Sequence, residues 1–310
     1  MRTSLFSLTP GFVNTRAVRR AFVMIAVGAL ISVPIQSGRA AEPPEIVLWP
    51  DGVPEPRVPA EPAETVEKKA DGIARRSHVS NPRLVVYDLP RSEAAARRAA
   101  VLVVPGGGFG ILADEHEGSD ACRWLNEQGY VSFLVRHRVP TNMMPEPNAA
   151  PVQDVQRSVQ EVRRRADEFA IDPSRIAVLG FSAGGQVALV AATKPVSFPG
   201  ADARVSARPD ALLLLYPWRI VGEGGTGLRS DVTIDGNAPP TFIAQCGDDT
   251  GSLPQGSAHL YLELLRAKVP AEIHVYETGG HGFGLKAGNT IPGTLDWKAR
   301  AVDWLRGRGW

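Results

Sequence analysis

From residue 83 onward, short apolar runs alternate with longer segments that have one apolar face. The apolar runs, which predict strands, lie at 83–89, 100–105, 130–137, 175–180, 211–215, 241–246 and 272–276. The segments with helical periodicity lie at 116–129, 151–169, 183–194, 255–268 and 294–306. Strands that are apolar throughout need cover on both faces. The alternation therefore predicts an α/β fold with a mostly parallel central sheet of about eight strands and helices on both faces.

The first 40 residues differ in composition from the rest of the chain. They contain five arginines and no acidic residue. Arg19 and Arg20 precede the apolar run 21–35, and small residues stand at Gly38 and Ala40. This layout is typical of a secretory signal cleaved after Ala40, and it predicts export to the periplasm or beyond. Two alternatives stay open, namely an uncleaved anchor and a twin-arginine export route.

The remaining chain divides into two parts by composition. Residues 41–82 are rich in proline and charge, which indicates an extended lead-in with one short strand at 46–49. Residues 83–310 have the length of a single α/β catalytic domain.

Charge and the length of the apolar run argue against nucleic acid and membrane as partners. Loss of the five N-terminal arginines changes a formal charge of +1 to −4, and no basic cluster remains for nucleic acid. An apolar run of 15 residues is short for a bilayer span, so we expect no stable membrane insertion after cleavage.

Cys122 and Cys246 are predicted to be buried free thiols. No metal-ligand spacing occurs, so we expect neither a metal nor a cofactor.

Ser182 stands in the sequence Gly180-Phe181-Ser182-Ala183-Gly184, between a predicted strand and a predicted helix. In the pattern G-x-S-x-G, a tight strained turn projects the serine hydroxyl above the sheet. Glycines two residues before and after the serine avoid a collision of side chains. The start of the following helix directs free N–H groups at an anion formed there. The alternative is a glycine-rich turn with a capping serine.

A serine hydroxyl needs a base, and the base needs an acid to orient it. Of the histidines after Ser182, His259 lies in a predicted helix and His274 in a strand, whereas His281 lies in a glycine-flanked loop. His281 is therefore the predicted base. Asp248 and Asp249 both follow the strand 241–246, and their spacing from the other residues does not distinguish them.

The oxyanion of a tetrahedral intermediate requires fixed N–H donors. Ala183 offers one N–H group next to the serine. The glycine-rich segment after the strand 100–105 offers another, from Gly107 or Gly108. The segment lacks the spacing of a phosphate-binding loop, so nucleotide binding is not expected.

Taken together, these motifs resemble the α/β-hydrolase serine esterases, and among them the bacterial exported acetyl-xylan-esterase-like group. The resembling segments are 48–54, 103–118, 151–159, 171–185, 238–249 and 276–285. The resemblance implies the α/β-hydrolase fold, Asp249 as the triad acid, and hydrolysis of short acyl esters such as acetyl groups on polysaccharide. It also indicates a supporting role near the oxyanion loop for His116 and Glu117, with direct substrate contact as the alternative. Pro105 stands where the glycine-rich loop of lipases and esterases usually has histidine.

The segments 137–151 and 216–236 are predicted to line the substrate pocket. Trp218 is a candidate for stacking on a sugar ring, although a partly buried loop anchor is the alternative. Met143 is a candidate for an adaptable apolar lip. Two other functions stay open: a serine peptidase of the same fold, and a non-catalytic binding protein on this scaffold.

Overall fold

The computed structural model describes residues 43–88, 96–196, 198–286 and 288–310. The signal sequence predicted for residues 1–40 lies outside these residues. The described residues belong to one compact unit.

Eight strands form the central sheet, in the order β1-β4-β6-β5-β7-β8-β9-β10. The strands are β1 (Glu45–Val47), β4 (Arg83–Tyr87), β5 (Arg98–Val104), β6 (Val131–Arg136), β7 (Ile171–Phe181), β8 (Ala211–Leu215), β9 (Thr241–Cys246) and β10 (Ala271–Tyr276). The six strands from β6 to β10 in this order run parallel, whereas β1 and β4 pair antiparallel. The predicted α/β fold with a mostly parallel sheet is confirmed.

The helices are α1 (Asp120–Glu127), α2 (Ala149–Arg164), α3 (Ala183–Thr193), α4 (Pro254–Arg266), α5 (Pro292–Leu295) and α6 (Trp297–Arg306). A π-helical turn, Glu115–Ser119, precedes α1, and a short 3-10 turn lies at Glu223–Gly225. The helix predicted at 116–129 is therefore two elements, and so is the one predicted at 294–306. Within the described residues, none of the helices has both the length and the apolarity that a bilayer crossing requires.

The core lies on both faces of the sheet. Along β5, Leu102 and Val104 pack into one apolar cluster, while Val101 and Val103 pack into the other. Successive side chains of a strand point to opposite faces, so a strand covered on both sides is apolar at nearly every position. This is why the apolar runs of the sequence located the strands. Cys122 and Cys246 are buried and unbridged, as predicted.

Residues 43–82 are more than the extended lead-in that the sequence indicated. Their first strand, β1, pairs with β4 and so belongs to the central sheet. Two further strands, β2 (Thr65–Lys68) and β3 (Ala74–Ser77), form a separate antiparallel hairpin. The residues of β2 and β3 are exposed or half-buried. They carry no apolar alternation, which is why the sequence did not indicate this hairpin.

A buried ion pair fastens this segment to the helical layer. The side chains of Arg138 and Asp154 are both fully buried and in contact. The Arg138 guanidinium also donates hydrogen bonds of 2.7 Å to the carbonyl oxygens of Pro54 and Pro56. The indole N–H of Trp49 donates to Asp154 at 2.8 Å. Because a buried charge needs compensation on all sides, these contacts hold residues 49–56 against α2.

Replacing Arg138 with methionine should destabilise the fold strongly. The substitution leaves the Asp154 carboxylate buried without its partner, which typically costs about 3–5 kcal/mol. Arg266→Met is the matched control, since Arg266 pairs with Glu263 but is 71% exposed. The control should cost less than about 1 kcal/mol. The free energy of unfolding from urea titrations distinguishes them, and equal losses would contradict the anchoring role.

Candidate active site

Ser182 lies in the turn between the end of β7 and the start of α3. Its backbone is left-handed, with φ 51° and ψ −119°, and its N–H donates to the carbonyl of Leu215 at 3.0 Å. A Cβ atom at Gly180 would lie 2.5 Å from the Gly184 oxygen, and one at Gly184 would lie 2.2 Å from the Val104 oxygen. Both distances are below any tolerable contact. The turn therefore requires glycine at both positions.

His281 lies in the loop after β10 and reaches Ser182. Its Nε2 atom is 2.8 Å from the Ser182 hydroxyl oxygen, and its Nδ1 atom is 2.8 Å from Oδ2 of Asp249. An ionised carboxylate only accepts hydrogen bonds, so Nδ1 carries the proton and donates to Asp249. Nε2 is then the acceptor for the Ser182 hydroxyl. In this arrangement the imidazole is ready to take the hydroxyl proton.

Asp249 is a buried carboxylate surrounded by donors. Besides His281, the N–H groups of Gly251 and Ser252 donate to Oδ1 at 2.8 and 2.7 Å, and the amide of Gln245 donates to Oδ2 at 3.1 Å. Burial alone would raise the pKa of this carboxyl. The hydrogen bonds and the nearby imidazole outweigh burial and hold the pKa below its ordinary value. Asp249 is therefore ionised at neutral pH.

The neighbouring Asp248 points the other way and contacts the backbone of the histidine loop. Its carboxylate accepts hydrogen bonds from the N–H of Gly279 at 3.2 Å and of Gly280 at 2.8 Å. Asp249 thus holds this loop through the His281 ring, and Asp248 holds it through the backbone. Spacing alone does not distinguish the two acids, because adjacent loop residues cannot be assigned a direction from it, whereas the family resemblance implies Asp249.

The glycine-rich segment after β5 contacts the same cleft. Gly107 has φ 130°, Gly108 has φ 60°, and Phe109 has φ 62°. A Cβ atom at Gly107 would lie 2.1 Å from the Ile111 oxygen, so no larger residue fits. Within the described residues, the N–H groups of Gly107 and Gly108 donate to no other atom. The N–H of Ala183, at the first position of α3, has no partner within its own helix.

Glu117 holds the glycine-rich segment in place through a hydrogen bond. It is 4% exposed, and its Oε2 accepts from the N–H of Gly106 at 2.9 Å. Its Oε1 accepts from the hydroxyl of Tyr216 at 2.8 Å. Burial, followed by the charge of Glu117, raises the pKa of Tyr216 well above its ordinary value, so the phenol stays a donor. The Tyr216 ring also packs edge-on against the His281 ring, with centroids 5.1 Å apart.

The cleft has two lobes separated by Trp218. The first, of about 460 Å³, is lined by Ser182, His281 and the glycine-rich segment. The second, of about 240 Å³, shares Gly108 and Trp218 with the first. Met143 is 90% exposed and lines neither lobe, although the adjacent Asn142 lines the second. No group of three or more potential metal ligands occurs among the described residues.

A strained serine between a parallel strand and a helix, with histidine and aspartate from the ends of later strands, defines the α/β-hydrolase class.

A family model described as BD-FAE matches residues 86–202. The chain is 29% identical to the acetylxylan esterase of Xylanibacter ruminicola over 213 residues, which cover 60% of this chain and 41% of that protein. It is 28% identical to endo-1,4-beta-xylanase B of Butyrivibrio fibrisolvens over 209 residues, 60% of this chain and 33% of that protein.

A solved structure of similar fold is that of an acetyl ester-xyloside bifunctional hydrolase from Caldicellulosiruptor lactoaceticus. The TM-score is 0.67 at 28% identity, over 88% of this chain and 99% of that one. These similarities confirm the resemblance to esterases of the acetyl-xylan-esterase-like group. The chain spans less than half the length of the two curated relatives.

The different contacts of the two acids predict different effects on the reactivity of Ser182. In Asp249→Asn, the amide cannot stabilise an imidazolium, and the rate of Ser182 labelling by a fluorophosphonate should fall roughly a hundredfold or more. In Asp248→Asn, one carbonyl oxygen still accepts a loop N–H, and the rate should fall less than about tenfold. Mass spectrometry of the labelled peptide measures both rates. Similar losses in both variants would contradict the assignment.

Two substitutions of Glu117 test whether the site depends on its hydrogen bonds or on its negative charge. Glutamine can still accept from Gly106, and its NH₂ can donate to the Tyr216 oxygen, so Glu117→Gln should keep most of the wild-type labelling rate. Glu117→Ala leaves two buried polar groups unpaired, at a cost of about 1–3 kcal/mol each. We expect a lower melting temperature and slower labelling for the alanine variant only. If the glutamine variant lost as much as the alanine variant, the charge would be the essential property.

Proposed function

We propose that this protein is an exported serine esterase that hydrolyses short acyl esters on carbohydrate. The observation that carries the proposal is the contact of 2.8 Å between the Ser182 hydroxyl and His281 Nε2. The same cleft contains the N–H groups of Gly107 and Gly108, which have no acceptor among the described residues. The basic and apolar pattern of residues 1–40 supports export.

The reaction begins with proton transfer and nucleophilic attack. His281 Nε2 takes the proton from the Ser182 hydroxyl while Oγ bonds to the ester carbonyl carbon. The carbonyl oxygen becomes an oxyanion, and the imidazolium is stabilised by Asp249 through Nδ1. His281 then gives its proton to the departing alcohol oxygen as the carbon–oxygen bond breaks. The acyl group remains on Ser182.

The second half of the reaction uses water in place of serine. His281 accepts a proton from the water, the hydroxyl attacks the acyl carbon, and a second oxyanion forms. Its collapse returns the proton to Ser182 and releases the acid. In both halves the N–H groups of Gly107, Gly108 and Ala183 are the proposed donors to the oxyanion. Loss of one such donor typically costs about 3–4 kcal/mol of transition-state stabilisation.

The substrate class rests on the relatives and on the lining of the cleft. Two of the similar proteins are described as acting on acetyl esters, namely the acetylxylan esterase and the acetyl ester-xyloside hydrolase. Trp218 is half-buried and presents an aromatic surface between the two lobes. A flat apolar ring flanked by polar groups is suited to a sugar. We therefore infer an acetylated carbohydrate or a similar alcohol.

Cleavage of a glycosidic bond is disfavoured by the placement of the carboxylates. That chemistry needs two carboxyl groups about 5–9 Å apart on either side of the bond. Of the described acids near the reacting serine, Asp71 pairs with Arg75, Glu117 holds the N–H of Gly106, and Asp249 lies behind His281. No pair of them is free to act on a sugar. Ester hydrolysis by Ser182 and His281 fits the placement of these carboxylates better than cleavage of a glycosidic bond.

Ser182→Ala should abolish release of 4-nitrophenol from 4-nitrophenyl acetate while leaving the circular dichroism spectrum unchanged. The substitution removes the nucleophile, and Ser206→Ala, an exposed serine outside the cleft, is the control. Retained hydrolysis by the Ser182 variant would refute the assignment.

A substrate panel distinguishes esterase from peptidase. Acetylated xylan, a feruloylated sugar and an aminoacyl amide should be tested side by side. We expect acetate release from the first and none from the amide. Preferential amide cleavage would favour the peptidase, and binding without turnover would favour a non-catalytic protein.

A further inference from the structure

The second lobe of the cleft adjoins the reacting residues without containing them. Its lining includes Gly108, Trp218, Arg219 and Arg229, but neither Ser182 nor His281. A group bound there is therefore a part of the substrate that does not react. A short acyl group is too small to fill both lobes, so at least one lobe must take part of the alcohol portion of the ester.

Arg219 gives this lobe an uncompensated positive charge. Its guanidinium carbon lies 4.2 Å from the centroid of the Trp218 ring, in a cation–π contact. Within the described residues, Arg219 forms no ion pair. Arg229 differs, since it pairs with Asp231 through Nη2 and Oδ2 at 3.0 Å. The charge of Arg229 is thus largely neutralised, whereas that of Arg219 is not.

The backbone of Arg219 is fixed in an unusual conformation. Its φ is 49°, a left-handed value that non-glycine residues adopt rarely and often at ligand sites. The buried amide of Gln186 donates to the carbonyl of Trp218 at 2.9 Å and to that of Arg219 at 3.4 Å. Arg229 donates to the same Arg219 carbonyl at 3.4 Å. Arg219 therefore extends from a rigid attachment point beside the ring.

The first lobe also has charged residues at its rim. Arg75, and to a lesser extent the exposed Lys286, stabilise the charge of Asp71 and lower the pKa of its carboxyl. Glu117 lies beneath the glycine-rich segment and is occupied by two hydrogen bonds. Among the described residues, Arg219 therefore remains a cation of the cleft lining that no carboxylate pairs with. Such a cleft favours an anionic ester over a neutral one.

We propose that the second lobe is a subsite for a carboxylate carried by the alcohol portion of the substrate, and that Arg219 binds this carboxylate while stacked on Trp218. The proposal rests on the proposed esterase function for its division into acyl and alcohol portions. It narrows the substrate class to esters of acidic alcohols, such as a sugar chain that carries a uronic acid. A guanidinium offers two parallel N–H donors that match a carboxylate.

The kinetic test uses acetate esters that differ only in charge. 4-Acetoxybenzoate and the longer 4-acetoxycinnamate are compared with their uncharged primary amides. Wild-type kcat/KM should be higher for at least one acid than for its amide, and added salt should reduce this preference. Arg219→Gln should lower the acid-to-amide ratio by about threefold to tenfold, mainly through KM. Arg219→Lys should retain part of the preference.

Arg204→Gln is the matched control, because it removes an exposed arginine outside the cleft and changes the net charge equally. Its ratio should equal that of the wild type. An unchanged ratio in Arg219→Gln would overturn the subsite.

A binding measurement separates this proposal from the esterase function. Calorimetry of 4-hydroxycinnamate and its amide, with wild type and Arg219→Gln, needs no turnover. Tighter binding of the anion that is lost in the variant supports the subsite even if neither ester is hydrolysed, an outcome that would refute only the esterase. Equal binding of anion and amide to the wild type would overturn the subsite even if both esters are hydrolysed.

Discussion

The left-handed backbone of Ser182 is the constraint on which the cleft depends. A residue in this conformation costs about 1–3 kcal/mol, and it persists only where its surroundings determine it. Here the Ser182 N–H is bonded to Leu215, and the Ser182 carbonyl accepts from Trp218 at 2.9 Å. The helix α3, buried along Ala183–Ala192, holds the other side of the turn. The same bonds that stabilise the turn therefore position Trp218, and with it the boundary between the two lobes.

Parallel strand order explains how distant residues meet at this turn. β7, β9 and β10 all run in one direction, so the segments that follow them lie at one edge of the sheet. Ser182, Asp249 and His281 come from those segments. The loop of His281 is fixed at two points, since Asp249 accepts from the ring and Asp248 accepts from the preceding backbone. A base held in this way loses little entropy when the reaction begins.

The sequence predicted the parts of the fold that depend on periodicity and local backbone demands. Buried strands have a recognisable apolar pattern, and the turn at Ser182 requires glycines at fixed spacing. The β2–β3 hairpin was missed because its residues are polar and exposed. The choice between Asp248 and Asp249 was beyond the residues alone, since it depends on loop direction. The proposed role of Arg219 could not be predicted from the sequence. It depends on the lack of an ion-pair partner for Arg219 among the described residues, and a sequence does not show which charges are paired.

The central claim is that Ser182 becomes acylated during turnover, and rapid mixing with 4-nitrophenyl acetate followed by acid quench tests it most directly. We expect a burst of 4-nitrophenol close to one equivalent per chain when deacylation is slower than acylation. Peptide mass spectrometry should find the acetyl group on the peptide that contains Ser182. Sustained turnover with acetyl found on another residue, and never on Ser182, would contradict the account.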